Sequence, residues 1–130
     1  MTVPKLEKIL LVEDDPDIQE VAVMALEDFG EYTVTACSSG EEALDKTPEF
    51  SPDMILLDVM MPGMDGPTTL GKLRQKAETA DIPVAFLTAR TQPHEVEQYK
   101  SLGAIDVIKK PFDPVELCAT IEQIWALHNG

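Results

Sequence analysis

Ionisable and hydroxyl side chains directly follow several short apolar runs of this chain. Three carboxylates follow residues 9–12, a fourth follows residues 54–57, and a hydroxyl and two lysines follow two later runs. In chain order these side chains are Glu13, Asp14, Asp15, Asp58, Thr88, Lys109 and Lys110. If the runs are parallel strands, their carboxyl ends meet at one edge of the sheet, which is where ligands bind in open α/β sheets. Crowded carboxylates repel one another, and a hard cation such as Mg²⁺ or a neighbouring lysine would relieve that repulsion.

Acidic residues in strand-to-helix turns also have a purely structural use, because their side chains cap helix N-termini. Asp15 or Asp17, on either side of Pro16, fits such a cap. Capping would account for one acidic turn, but it does not account for all of these strand ends together.

The elements that must position these side chains alternate along the chain. Apolar, β-branched runs predict five strands, and longer segments with helical spacing of apolar residues predict five helices between and after them. The predicted strands are residues 9–12, 32–37, 54–57, 82–87 and 105–108. The predicted helices lie near 16–29, 39–47, 93–102 and 114–127, and the third helix starts near Pro67 and includes Leu70 and Leu73. Apolar strands without polar alternation indicate a parallel sheet covered by helices on both faces, which is an α/β fold.

Turn and cap residues define several of these boundaries. Gly30 stands where the first helix would have its C-terminal cap. Ser38 and Ser39 precede Glu42 with capping-box spacing at the start of the second helix. We expect that helix to end near Thr47, with Pro48 and Pro52 on either side of a loop.

The composition is that of a globular domain with a strongly acidic surface. The chain has 130 residues, of which 44% are hydrophobic, and its net charge is −14. Residues 1–65 hold 16 acids and 3 basic residues (−13), whereas residues 66–130 hold 8 and 7 (−1). This field disfavours direct nucleic-acid binding and is compatible with cation binding. With no signal peptide and no apolar run near the roughly 20 residues of a membrane span, we expect a cytoplasmic protein.

Two cysteines and one histidine could suggest other chemistry. Cys37 and Cys118 fall in apolar segments without metal-binding spacing, so we expect two buried, reduced thiols. His94 lies in an acidic helix, and we expect a solvated surface residue rather than a phosphate carrier.

Four motifs together resemble the response-regulator receiver domains of two-component signalling. Residues 9–15 (ILLVEDD) resemble the first strand and acidic pair of that family, and residues 54–66 (MILLDVMMPGMDG) resemble its acceptor strand and loop. Residues 87–89 (LTA) and 110–112 (KPF) match its switch strand and its closing motif. The motifs occur in the family's order and cover essentially the whole chain.

The resemblance implies a fold and a kind of activity. The fold would be flavodoxin-like, or CheY-like: a doubly wound, five-stranded parallel sheet of strand order 2-1-3-4-5 with five flanking helices. Residues 1–130 would form a single receiver domain without an output domain. The protein would act as a phosphorylation switch that assists its own phosphotransfer, rather than as an enzyme.

The resemblance also assigns the acceptor and the metal ligands. Asp58 would accept the phosphoryl group as an acyl phosphate. Asp14 would bind Mg²⁺ directly, Glu13 would act through water, and Asp58 and the backbone carbonyl of Met60 would complete the site. Mn²⁺ would substitute for Mg²⁺, and Asp15 would lie outside the metal's direct ligands.

The remaining family roles fall on three residues near the later strand ends. Lys110 would pair with the acceptor carboxylate and then with the phosphoryl group, and Pro111 would follow a cis peptide bond that aims Lys110 into the site. Thr88 would hydrogen-bond the phosphoryl oxygen and, by moving, change the surface formed by the fourth helix, fifth strand and fifth helix. Lys109 is expected to be solvated.

The sequence departs from the family pattern at three places. Val107 stands where the family usually has a switch aromatic, so we expect signalling through the backbone and the fourth helix. Residues 114–127 contain no Lys or Arg to pair with Asp106 across a dimer, so we expect a monomer. Met60 and Arg90 flank the acceptor, where an apolar side chain and a long cation should shield phosphorus and slow self-dephosphorylation.

The expected partners are a sensor histidine kinase or a histidine phosphotransfer domain, together with a downstream protein that the sequence does not name. Direct DNA binding and membrane attachment are not expected. Three alternatives remain: a flavin-binding protein, an aspartyl phosphatase, and a phosphate-independent pseudo-receiver that serves only for interaction. The first would need a hydroxyl- or glycine-rich loop after strand one, and the second an acid where Met60 stands.

Overall fold

Strands and helices alternate five times along the chain, in a computed structural model that describes residues 4–129. The strands are β1 (Lys8–Val12), β2 (Thr33–Cys37), β3 (Met54–Asp58), β4 (Val84–Thr88) and β5 (Asp106–Lys109). The helices are α1 (Pro16–Asp28), α2 (Gly40–Phe50), α3 (Gly66–Arg74), α4 (Pro93–Ser101) and α5 (Pro114–Asn129). Within residues 4–129, no helix combines the length and apolar character needed to cross a membrane.

The five strands form one parallel sheet in the order β2-β1-β3-β4-β5, which confirms the predicted fold class and strand order. The residues of β3 and β4 are all buried, as expected of strands covered on both faces. One core cluster joins the sheet to α1 and α5, and a second joins its other face to α2, α3 and Tyr99 of α4. Successive strand residues alternate between these two clusters.

Side chains cap the helices that begin at the carboxyl edge of the sheet. The carboxylate of Asp15 accepts from the backbone N–H groups of Asp17 and Ile18, at 2.9 and 3.3 Å. Ser39 caps α2 through the N–H of Glu42, and Asp65 caps α3. The expected cap at Asp15 is therefore confirmed, and its carboxylate is used for capping.

The end of α1 differs from the prediction that Gly30 would cap it. The helix ends at Asp28 with Phe29 as its cap, and the residue with left-handed backbone is Glu31 (φ 59°). A Cβ atom at Gly30 would lie 2.5 Å from the ring of Tyr32. The small size of Gly30 thus leaves room for the ring of Tyr32, two residues later in the same loop.

The prediction that α2 ends near Thr47 is also wrong, because the helix continues through Pro48 to Phe50. Ser51 then adopts left-handed backbone (φ 51°) and caps the helix. Leu44 and Phe50, on either side of the proline, pack against the core cluster of this face. This burial outweighs the loss of one backbone hydrogen bond that a proline causes within a helix.

At the amino edge of the sheet, α5 contacts the start of the chain. The indole nitrogen of Trp125 donates to the carbonyl of Pro4 at 2.6 Å. The hydroxyl of Tyr32 donates to the carboxylate of Glu122, also on α5. These bonds fix α5 at the edge opposite to the one that carries the candidate site.

Candidate functional site

The predicted site residues meet at the carboxyl edge of the sheet. Glu13 directly follows β1, Asp58 and Thr88 are the last residues of β3 and β4, and Lys110 directly follows β5. Because these strands are parallel and hydrogen-bonded in register, their last residues lie side by side. The fold thus brings together side chains that are up to 97 residues apart in sequence.

Lys110 lies between two of the carboxylates. Its ammonium nitrogen donates to Oε1 of Glu13 at 2.9 Å and to Oδ1 of Asp58 at 3.1 Å. The side chain of Lys110 is 18% exposed, and both acids are almost fully buried. One cation therefore neutralises only part of a buried pair of acids.

A third acid, Asp14, completes the acidic group. Oxygen atoms of Glu13, Asp14 and Asp58 all lie within 4.8 Å of one another, and Asp14 is the most exposed of the three. Three carboxylates and one ammonium group leave a net charge of −2 when all are ionised. An all-oxygen donor set with excess negative charge is the kind that hard divalent cations prefer, so these residues fit a Mg²⁺ ion.

The surroundings of these groups shift their pKa values. Burial and the nearby carboxylate of Glu13 raise the pKa of Asp58 from its ordinary 3.8 to about 7, although Lys110 acts in the opposite direction. Burial lowers the pKa of Lys110, but its contacts with Glu13 and Asp58 outweigh this and raise it. Lys110 is therefore a permanent cation, whereas Asp58 holds its negative charge at a cost.

Hydrogen bonds from α1 and its turn fix the position of Glu13. The N–H of Asp15 donates to Oε2 of Glu13 at 3.2 Å, and the side-chain amide of Gln19 donates to the Glu13 carbonyl at 2.9 Å. The same amide reaches the carbonyl of Cys37, after which β2 ends. Gln19 holds the acidic turn against the neighbouring strand, and no sequence signal distinguishes it from other glutamines on helix surfaces.

Thr88 is held by the backbone on both of its sides. Its hydroxyl oxygen accepts from the N–H of Arg90 at 3.0 Å, and its carbonyl accepts from the N–H of Lys110 at 2.9 Å. No acceptor for the Thr88 hydroxyl proton is found among residues 4–129. The proton is thus free for a group that enters the site next to Asp58.

Gly66, the first residue of α3, packs against the end of β3. Its N–H donates to the carbonyl of Val59 at 2.9 Å, and a Cβ atom there would lie 2.5 Å from the carbonyl oxygen of Asp58. Only glycine lets α3 approach the backbone of Asp58 this closely. Gly66 lies in the motif of residues 54–66, but a glycine in a loop motif does not by itself indicate this close packing.

Three further predicted residues surround the site. Met60 follows Asp58 by two residues in the same loop, and its side chain is 66% exposed. The Lys110–Pro111 peptide bond is cis. Lys109 is exposed, as expected of a solvated lysine.

An apolar groove lies beside the site, between α1 and the loop that follows β5. Its volume is about 240 Å³. It is lined by Asp17, Ile18, Val21, Lys110, Pro111 and Phe112. Lys110 lines the groove and also contacts Glu13 and Asp58 of the acidic group, so the groove lies directly beside that group.

Comparison with known proteins identifies the family that the sequence motifs resemble. The family model of the response regulator receiver domain matches residues 9–122. The chain is 37% identical over 118 residues to "Response regulator Rre1" of Synechocystis sp., covering 91% of this chain and 51% of that protein. It is 39% identical over 117 residues to the phosphate regulon transcriptional regulatory protein PhoB of Escherichia coli, covering 90% and 51%. The chain spans about half the length of the curated relatives that it matches.

Solved structures agree with this family and its fold. The chemotaxis response regulator CheY4 of Vibrio cholerae superposes with a TM-score of 0.85 at 31% identity, covering 92% of this chain and 99% of that one. The N-terminal domain of a response regulator receiver protein from Methanoculleus marisnigri gives 0.75 at 41% identity, covering 92% and 96%. The chain belongs to the response regulator receiver domain family of two-component signalling.

Proposed function

We propose that this receiver domain accepts a phosphoryl group on Asp58 in a Mg²⁺-dependent reaction and thereby controls a partner protein. The observation that carries the proposal is the position of Lys110, which bridges the buried carboxylates of Glu13 and Asp58 inside a group of three acids. A structural ion pair would need only one acid beside the lysine. Additional buried negative charge is costly unless a cation joins it.

The metal ligands in this proposal are the carboxylates of Glu13, Asp14 and Asp58, together with the backbone carbonyl of Met60. Bound Mg²⁺ would neutralise charge on the phosphoryl oxygens during transfer, and Mn²⁺ would substitute for it. Glu13 acts through water and is held in place by Lys110 and the Asp15 N–H. The three carboxylates fit this use because their oxygens are already within 4.8 Å of one another.

The transfer itself is a displacement at phosphorus. An oxygen of Asp58 attacks the phosphorus atom of a phosphohistidine, the P–N bond breaks, and the imidazole leaves with the electron pair. Lys110 stabilises charge on the phosphoryl oxygens, because its ammonium already lies 3.1 Å from the acceptor carboxylate. Thr88 donates its free hydroxyl proton to a phosphoryl oxygen after transfer.

The phosphodonor in this proposal is a histidine kinase or a histidine phosphotransfer domain. Such a donor must bring an imidazole to Asp58 while contacting the surface around it. The apolar groove that Ile18, Val21 and Phe112 line shares Lys110 with the site. We assign this groove to docking of the donor, since contacts there would place the donor's histidine beside Asp58.

Self-dephosphorylation is expected to be slow. The neighbours of the acceptor include an exposed methionine at position 60 and an exposed arginine at position 90. Neither side chain is a general base that could activate water for attack on phosphorus. A phosphoryl lifetime of minutes or longer, followed by intact mass after removal of the donor, would support this, and a lifetime of seconds would contradict it.

The test of the proposed function is intact mass after incubation with Mg²⁺ and acetyl phosphate. We expect the mass of one phosphoryl group to be gained, and the gain to be lost with EDTA or in Asp58→Asn. Asp45→Asn, which changes an exposed acid of α2, is the matched control and should be labelled like the unchanged chain. No labelling by acetyl phosphate or by histidine kinases would instead favour a phosphate-independent interaction module.

A further inference from the structure

Helix α4 is the most weakly packed helix of the fold. None of its residues is buried, whereas α1, α2, α3 and α5 each bury at least three. Elements with few buried apolar contacts move at low cost in free energy. The contacts that α4 does make therefore decide how it moves.

Two of those contacts lie in its last turn. The ring of Tyr99 meets the ring of Phe86 on β4 edge to face, with centroids 5.4 Å apart and an interplanar angle of 75°. The ammonium of Lys100 lies 3.9 Å from the carboxylate of Asp106 on β5. Edge-to-face aromatic pairs contribute beyond the area they bury, so Tyr99 is the stronger contact.

Arg74, at the end of α3, holds the turn that follows α4. Its guanidinium donates to the carbonyl of Ile82 at 2.9 Å and to the carbonyl of Gly103 at 3.5 Å. The backbone continues this attachment, because Ile105 donates to Val84 at the start of β4 at 2.8 Å. The C-terminal end of α4 is thus fixed to the sheet.

The N-terminal end of α4 has contacts of a different kind. Its capping box joins Gln92 and Glu95, which belong to the same turn, and does not reach the sheet. The loop before it is held by the bond from the Arg90 N–H to the Thr88 hydroxyl. A displacement of Thr88 would therefore release the loop that leads into α4.

Tyr99 also lies on the same side of the sheet as Thr88. Thr88 follows Phe86 by two residues in β4, so both side chains point to the face that α4 covers. Val107 lies opposite Phe86 in the β4–β5 ladder, and Val107 and Tyr99 both pack against the core cluster of that face. The ring that packs on Phe86 is therefore Tyr99 of α4, whereas β5 places only Val107 beside Phe86.

We propose that Tyr99 is the switch aromatic of this receiver: it couples Thr88 to a pivot of α4 about its fixed C-terminal end. This inference rests on the proposed function, because phosphorylation of Asp58 is what draws Thr88 inward. As Thr88 and Phe86 move, the ring of Tyr99 changes its packing and the N-terminal turn of α4 swings. Because the ring belongs to α4, its movement and the movement of the helix are one event.

The test uses the two tyrosines of the chain, Tyr32 and Tyr99. The full chain is labelled with 3-fluorotyrosine and ¹⁵N, and ¹⁹F and amide spectra are recorded with Mg²⁺ before and after addition of beryllofluoride, an analogue of the phosphoryl group. We expect the Tyr99 fluorine signal to shift by more than its linewidth. The Tyr32 signal is the internal reference, because that ring contacts Glu122 at the opposite edge of the sheet.

The amide signals separate this inference from the proposed function. A shift of the Thr88 amide together with the Tyr99 fluorine and the amides of residues 94–96, while residues 101–103 stay in place, supports the pivot. A response of Thr88 without one from Tyr99 overturns the inference and leaves the proposed function intact. If neither Thr88 nor Asp58 responds, the proposed function fails and the inference fails with it.

Two variants test whether the ring carries the coupling. In Tyr99→Ala the Thr88 amide should still respond to beryllofluoride, whereas the response of residues 94–96 should be clearly smaller, because only release of the Arg90–Thr88 bond then acts on them. Tyr99→Phe keeps the ring that meets Phe86 and should restore that response. An unchanged α4 response in Tyr99→Ala would contradict a role for this residue as the coupling element.

Discussion

Replacing Asp58 by asparagine should stabilise the metal-free protein, although the change removes the proposed acceptor. Asp58 is 2% exposed and shares one lysine with Glu13, which is also buried. Asparagine has nearly the same shape, removes one buried negative charge, and keeps an oxygen that can accept from Lys110. The change therefore reduces the electrostatic cost of the folded state without creating a cavity.

The size and the sign of the effect follow from the pKa of Asp58. A tenfold change in an acid dissociation constant corresponds to about 1.4 kcal/mol, so the rise in pKa from 3.8 to about 7 sets an upper limit of about 4 kcal/mol. The hydrogen bond from Lys110 to a neutral asparagine is weaker than the one to the charged carboxylate, and this difference offsets about 1 kcal/mol of the gain in stability. A gain of about 1–3 kcal/mol in the free energy of unfolding remains at pH 8. The folded-state pKa lies above the unfolded one, so ionisation costs stability as the pH rises from about 4 to about 7.

The assay is urea unfolding in EDTA at several pH values between 5 and 8, with the single tryptophan as the probe. The difference in free energy of unfolding between Asp58→Asn and the unchanged chain should be largest at pH 8 and should shrink toward pH 5. Asp45→Asn, at an exposed position of α2, should stay within about 0.5 kcal/mol of the unchanged chain at every pH.

Two outcomes would refute this reasoning. Destabilisation by Asp58→Asn at pH 8 would mean that the charged pair with Lys110 contributes more than the burial of the carboxylate costs. A gain independent of pH would mean that the stabilisation has another origin than ionisation of Asp58. Repeating the series with Mg²⁺ links the result to the proposed function, because a ligand that binds only the folded state should stabilise the unchanged chain and not the variant.

Three further predictions concern other parts of the molecule. Burial raises the pKa of the Cys37 thiol to about 11, so alkylation of the folded protein at pH 8 should be slow and should become fast in urea; fast labelling without urea would contradict the burial. Gly66→Ala should destabilise the fold by roughly 2 kcal/mol or more, measured by urea unfolding, because its Cβ would lie 2.5 Å from the carbonyl oxygen of Asp58. Since Asp106 pairs with Lys100 of its own chain, sedimentation with beryllofluoride should show a monomer, and a dimer through this face would contradict the prediction.

The sequence was sufficient to predict the fold and the identity of the acidic group. Short apolar runs determine the strands, and a parallel sheet places whatever follows each strand at the same edge. Glu13, Asp58 and Lys110 could therefore be expected to meet, and the structure places them within hydrogen-bonding distance. The predicted burial of both cysteines is confirmed, and His94 is exposed as expected.

Features that depend on contacts between distant elements could not be predicted in this way. Pro48 indicates a helix end by local rules, but the burial of Leu44 and Phe50 extends α2 past it. The position of Tyr99 on Phe86 depends on how α4 crosses the sheet, and helical periodicity does not specify this crossing.

The hydrogen bond from Trp125 to Pro4 brings the last helix next to the segment before β1, so the path of the chain is almost closed. Residues near its two ends already contact each other at the amino edge of the sheet, far from the acidic group. A short linker between Pro4 and Asn129 would close the path with little disturbance, and residues 75–78, which are exposed, offer a place for new ends. A circularly permuted form of this domain should therefore keep the same sheet and present the same carboxylates.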